Sequence, residues 1–187
     1  MGPKGSEVWS AMLDAAEQIL QEEGYGMLTS RSLAERAGVK QRLVYYYFAT
    51  MDELVVEAFD RLAPREIERL EAAQGSALPL HEMWKVFAQT TDTRLVSEFM
   101  ALANRIDALR ERVAAHIVAV RALQVAALER AFAASGRTSP IPLAAAVILA
   151  NAAALAIHRE AALGLTDGHD AALKVIADFI TASDTTP

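Results

Sequence analysis

A chain of 187 residues that is 53% hydrophobic and 22% charged, with only 9 glycines and 6 prolines, has the make-up of a compact helical protein. The absence of cysteine excludes disulfides, thiolate metal sites and cysteine nucleophiles, and it is compatible with a reducing cytoplasm. A formal charge of −6 argues against general attraction to nucleic acid, so any such binding has to come from a local patch.

The opening MGPKGSEVW has no apolar signal-peptide core. It fits the myristoylation pattern through Gly2 and Ser6, but Pro3 beside the acceptor and the lack of a second membrane signal favour coincidence. From Ser6 to Glu23, the residues Trp9, Met12, Leu13, Ala16, Ile19 and Leu20 recur at helical spacing, and Gly24-Tyr25-Gly26 stops that helix. Thr29 or Ser30 is expected to cap the next, with Leu33 and Ala37 inward. Gly38 ends it, and Gln41 to Tyr47 forms a short third helix. Thr50 and Glu53 have the spacing of a capping box. They open a helix carrying Leu54, Val55, Ala58, Phe59 and Leu62, which Pro64 is expected to break. Further helices are predicted near 78–91, 93–104, 107–135, 141–163 and 169–182, with loops at Gln74-Gly75-Ser76, Gly136 to Pro142 and Gly164 to Gly168. The most apolar run, Leu143 to Ile157, falls short of the ~20 residues of a membrane span and is interrupted by Asn151. It reads as a buried interface helix. The fold class is therefore all-α, about nine helices.

The chain's charge is unevenly placed. Residues 1–60 hold Lys4, Arg31, Arg36, Lys40 and Arg42 against ten carboxylates, a net of −5, yet Thr29 to Phe48 alone carry a net of +3. Three consecutive phenols, Tyr45, Tyr46 and Tyr47, sit in that basic island. Successive helical side chains point about 100° apart, so the three cannot share one buried face. Two short helices joined by a tight Gly38 turn have the form of a helix-turn-helix at about 29–48. The N-terminal end of the second helix, with Lys40, Gln41 and Arg42, is then placed to reach base edges in the major groove. Tyrosine hydroxyls and Thr29 suit phosphate oxygens. Arg36, beside Glu35, reads as a solvated surface charge, and Trp9 as core.

The stretch LTSRSLAERAGVKQRLVYYYFATMDEL resembles the DNA-binding segment of the tetracycline-repressor (TetR) family, through Thr29, Arg31, Leu33, Ala34, Ala37-Gly38-Val39, Leu43, Tyr45, Tyr47-Phe48 and Leu54. The likeness covers residues 8–60. It implies an N-terminal three-helix DNA-binding domain at 1–50 and a C-terminal helical bundle at 51–187 for ligand binding and dimerisation. It further implies that Thr29, Arg31, Tyr45, Tyr46 and Tyr47 lie near the DNA backbone, that Lys40 to Arg42 and Leu43 face the bases, and that Leu33 and Phe48 are core. The chain departs from the family at Lys40, where a small hydroxyl residue is usual, and at Met51, where lysine is.

In the C-terminal part, the alanine-rich helices near 141–163 and 169–182 are expected to form the homodimer interface. Trp84, Phe87, Phe99, Met100, Asn104, His116, Gln124, Phe132 and His158 are candidates for lining a mostly apolar effector cavity. The four histidines (His81, His116, His158, His169) have no paired metal spacing, and no phosphate loop or nucleophile motif accompanies them. The expectation is a cytoplasmic, homodimeric transcriptional regulator of the repressor type. It would bind a palindromic operator and a small, partly apolar effector, with no membrane partner, no cofactor and no enzymatic activity. A helical metabolite-binding or enzymatic bundle without specific DNA binding is the alternative.

Overall fold

The computed structural model describes residues 4–88 and 93–184, excepting the side chains of 87, 88, 93, 94 and 182–184. Among the described residues there are nine α-helices and no strand: α1 (Glu7–Glu22), α2 (Ser30–Arg36), α3 (Gln41–Tyr47), α4 (Met51–Gln74), α5 (Pro79–Ala88), α6 (Thr93–Leu102), α7 (Asp107–Ser135), α8 (Leu143–Ala162) and α9 (His169–Asp184). The predicted tail of α5 over 89–91 lies outside the described residues. The chain divides into two compact units. One holds residues 1–64 and 92–116, the other residues 65–91 and 117–187, and both α4 and α7 run through the two.

The first unit is built around α1. Its Ser6 cap accepts the Trp9 N–H at 3.2 Å, and Met12, Leu13, Ala16, Ile19 and Leu20 form the buried face. Leu33, Val44, Phe48, Leu54, Val55, Ala58 and Phe99 complete this core, each large side chain contributing about 1.5–3 kcal/mol of burial. Phe59 meets the Phe99 and His116 rings edge-on at 5.3 and 5.7 Å. Arg61 on α4 reaches Asp14 and Glu17 of α1 at 2.8 and 2.6 Å and the Ser10 carbonyl at 3.2 Å, which pins the two helices. After α1, a 3-10 turn at Tyr25–Met27 is held by α6, since Glu98 accepts the Tyr25 N–H at 3.2 Å. Arg105 stacks 5.4 Å from the Tyr25 ring centre.

Local signals set the helix-turn-helix. Thr29 and Ser32 exchange hydrogen bonds in a capping box at the start of α2. At its end the Val39 N–H bonds the Ala34 carbonyl at 2.9 Å and the Gly38 N–H the Glu35 carbonyl at 3.2 Å, a Schellman closure with Gly38 at φ +67°. A methyl at Gly38 would meet nothing within 4 Å, so substitution there is strained by backbone conformation alone. Gly38→Ala is expected to cost about 1–2 kcal/mol, read as a lower denaturant midpoint with an unchanged m-value.

Two expectations are corrected. Pro64 does not end the helix, and α4 continues from Met51 through Pro64 to Gln74. Ala58 and Phe59 are buried before the proline and Leu70 and Ala73 after it. Burial on both sides outweighs the lost backbone bond, where propensity alone would break the helix. At the start of α4 the Thr50 hydroxyl caps Glu53 N–H at 3.0 Å, but Glu53 reaches back to the Ala49 N–H at 2.7 Å, one residue beyond the cap.

The second unit packs α5 against α8 and α9. Its core joins Leu70, Leu80, Met83, Val120, Leu128, Val147 and Ile180. His169, only 8% exposed, stands 3.0 Å from a Glu160 carboxylate oxygen and ties the start of α9 to α8.

Candidate nucleic-acid interface and effector cavity

In the helix-turn-helix, α2 and α3 pack on each other and α1 supports α2. Val44 and Phe48 anchor α3 in the core, which turns the opposite side of this short helix outward. Lys40, Gln41, Arg42, Tyr45 and Tyr46 are exposed there, with Arg31 exposed on α2 and Leu43 half-buried. Lys40 occupies the cap position of α3 without a side-chain cap bond, so the helix start is held by tertiary contacts.

One such contact involves Ser30, which the sequence reading named only as a possible helix cap. Ser30, 9% exposed, receives the Gln41 amide at 2.8 Å and the Tyr45 hydroxyl at 3.1 Å on its Oγ. Gln41 is therefore held against α2, and contact with an adenine edge would require it to leave Ser30. Arg42 carries no ion pair among the described residues, and neither do Arg31 and Lys40. The Thr29 hydroxyl is engaged as the α2 cap.

The three tyrosines separate as the helical spacing requires. Tyr45 and Tyr46 are 56% and 50% exposed. Tyr47 is half-buried, its hydroxyl accepting from Ser6 at 3.2 Å, and its ring meets Tyr46 edge-on at 5.3 Å.

Arg36 is an exposed surface charge, as its place beside Glu35 suggested, but a paired one. It bridges Glu22 and Glu23 at the end of α1, and the bond it donates to Glu22 raises its pKa above the ordinary value. Its charge is spent inside the domain. Arg36→Gln is expected to leave DNA affinity within about twofold and the salt slope unchanged, whereas removing a phosphate-contacting cation lowers that slope by about one. Titrations at several salt concentrations check this.

In the second unit, side chains of α5, α7, α8 and α9 line a partly open cavity of about 430 Å³, with Leu149 and Val175 at its exposed rim. Trp84 and Gln124 from the predicted set lie in its wall. Phe132 packs 5.9 Å from Phe179, itself a wall residue, and His158 is half-buried on α8 outside the lining. Phe99, Met100, Asn104 and His116 belong to the first unit. There Phe99 is core, Met100 and Asn104 are exposed, and His116 meets the Phe59 ring. The Phe87 side chain lies outside the described residues. The wall also includes Asn151, whose amide exchanges two hydrogen bonds with that of Gln124, at 3.0 and 3.2 Å.

The whole of α8, 20 residues from Leu143 to Ala162, is long and apolar enough to cross a membrane by length and composition alone, which is weak evidence by itself, while its most apolar run ends at Ile157. Only Val147 and Ala154 of α8 are buried within the chain. Ile148, Ala152 and Leu155 form an exposed stripe, and Val175 of α9 is exposed as well. Among the described residues no cluster of histidine and carboxylate side chains could hold a metal ion.

A family model described as bacterial regulatory proteins, tetR family, matches residues 12–58. The fatty acid metabolism regulator protein of Bacillus subtilis is 30% identical over 110 residues, covering 54% of this chain. The chain thus spans about 56% of the length of that curated relative. Among solved structures, a TetR transcription regulator from Haloarcula marismortui aligns with a TM-score of 0.74 at 18% identity, covering 93% of this chain and 96% of that one. A transcriptional regulator from a Rhodococcus species aligns with a TM-score of 0.75 at 22% identity, covering 97% and 100%. The Bacillus subtilis regulator FadR, in complex with stearoyl-CoA, aligns with a TM-score of 0.60 at 16% identity, covering 81% and 88%. At these identities the structural likeness establishes the fold.

Proposed function

We propose, from the match of residues 12–58 to the tetR family of bacterial regulatory proteins, that this chain is a cytoplasmic repressor of that family. It binds a palindromic operator as a homodimer and leaves it when a small, partly apolar effector binds. Residues 1–50 read DNA, and residues 51–187 bind the effector and dimerise through α8 and α9. Arg42, Lys40 and Leu43 face bases, while Arg31, Thr29 and the tyrosines face phosphates. The observation that carries this reading is the exposed basic and phenolic surface of α3 in a chain of net charge −6. The acidic remainder limits unspecific attraction to DNA and leaves binding to this one surface.

Release follows from linkage. A two-fold dimer presents its two α3 helices at one spacing, about one DNA turn (~34 Å) or a multiple of it. The effector favours a state in which α4, which begins at Met51 directly after the helix-turn-helix, has tilted and the spacing no longer fits. It does so only by the difference in its affinity for the two states.

The test is a screen of small molecules for thermal stabilisation of the full chain, followed by operator binding in their presence. Stabilising compounds that also abolish binding support the repressor reading. Compounds that stabilise and leave operator binding intact contradict it.

A further inference from the structure

The wall of the second unit's cavity contains no Asp, Glu, Lys, Arg or His. Its polar groups with two-sided hydrogen-bonding capacity are the paired amides of Gln124 on α7 and Asn151 on α8. We infer that this cavity takes an uncharged ligand, an apolar body with one hydroxyl, carbonyl or amide group seated on that pair, and that it discriminates against anions. The inference rests on the reading of residues 51–187 as the effector domain and narrows its ligand to a chemical class.

Two physical arguments lead there. An amide has two N–H donors and two acceptor positions, and the reciprocal bonds use one of each on both side chains. One donor and one acceptor per amide are left over. They match a neutral group that both gives and accepts a hydrogen bond. A carboxylate or phosphate seated on that amide pair, by contrast, would give up water for a wall holding no cation, a cost not recovered there. The volume of about 430 Å³ falls within the range of small-molecule sites, roughly 300–1,000 Å³, which fits a small molecule better than a docking helix.

The test uses the full chain and two dyes with the same ring system. N-phenyl-1-naphthylamine is neutral, and 1-anilinonaphthalene-8-sulfonate adds a negative charge. The neutral dye is expected to bind saturably at a single site per chain and the sulfonate about tenfold more weakly or worse. Octan-1-ol should displace the neutral dye at about a tenth of the concentration that octanoate needs. Ala150→Phe, which fills the cavity, should abolish dye binding in a protein of unchanged helix content, and Ala172→Phe replaces it if that variant does not fold. The double variant Gln124→Leu with Asn151→Leu leaves no orphaned amide and should lower the potency of octanol about tenfold. No saturable binding of the neutral dye, octanoate equal to octanol, equal binding of the sulfonate, or dye binding that survives in a folded Ala150→Phe would each overturn the inference. DNA release, followed in the same titration, separates the two readings. Octanol bound without release sinks the effector role while the ligand class stands. Release by octanoate alone sinks the ligand class while the regulator stands.

Discussion

Arg42→Ala combined with Tyr46→Phe is expected to weaken operator binding by about a hundredfold or more. A bidentate arginine–guanine contact is worth about 1–3 kcal/mol, and a symmetric dimer makes it twice. Arg42 is exposed near the start of α3, with no ion pair among the described residues to compete for it. The Tyr46 hydroxyl likewise has no hydrogen-bond partner among the described residues, and Tyr46→Phe removes only that group. The edge-on contact of its ring with Tyr47 at 5.3 Å remains, so the domain keeps its packing. Fluorescence anisotropy with operator and unrelated DNA checks this. The double variant should lose most of the difference between the two DNAs and show a flatter dependence on salt. Unchanged specific binding in a folded double variant would remove α3 from the role given to it.

The second large effect concerns α8. Ile148→Glu with Leu155→Glu should convert the dimer to a monomer. Both residues are 46% exposed within the chain and lie on one stripe, while Val147 and Ala154 carry the packing inward. Four carboxylates would be forced into an apolar interface, at several kcal/mol each if left unpaired. A monomer engages one half-site, so operator affinity should fall by about a thousandfold or more. Sedimentation velocity and anisotropy give the two readouts. A variant that still sediments as a dimer would move the interface elsewhere.

What could be read from the sequence was local. The Ser6-to-Glu23 stripe, the Thr29 cap and the left-handed Gly38 turn each depend on a few neighbouring residues, and they appear in the structure within a residue or so of where they were placed. The limits of α7, 107 and 135, also fall where they were placed, with Gly136 at positive φ directly after the helix. What escaped depended on distance along the chain. Arg36 was judged by its neighbour Glu35, yet it binds carboxylates 13 and 14 residues earlier. Gln124 and Asn151 each stood out as polar residues on apolar stretches, but nothing local shows that they pair across 27 residues. The break assigned to Pro64 failed because propensity is a weak term beside burial on both sides of the proline. For the same reason Phe99 and His116, plausible as cavity residues from their helices, pack against Phe59 in the first unit.

Lys40 stands at the cap position of α3 without a side-chain cap bond. Ser30 compensates by gathering Gln41 and Tyr45. The start of α3 is thus fixed by α2, and under the proposed function operator preference is expected to rest more on Arg42 than on Gln41.

Selection of bound duplexes from a random library by the purified full chain tests the central claim most directly. The account predicts an enriched palindrome whose half-sites lie one helical turn, about 34 Å, or a multiple apart, and its loss from the selection with Arg42→Ala and Tyr46→Phe. Recovery of no common sequence, or of the same sequence by the variant, would contradict it.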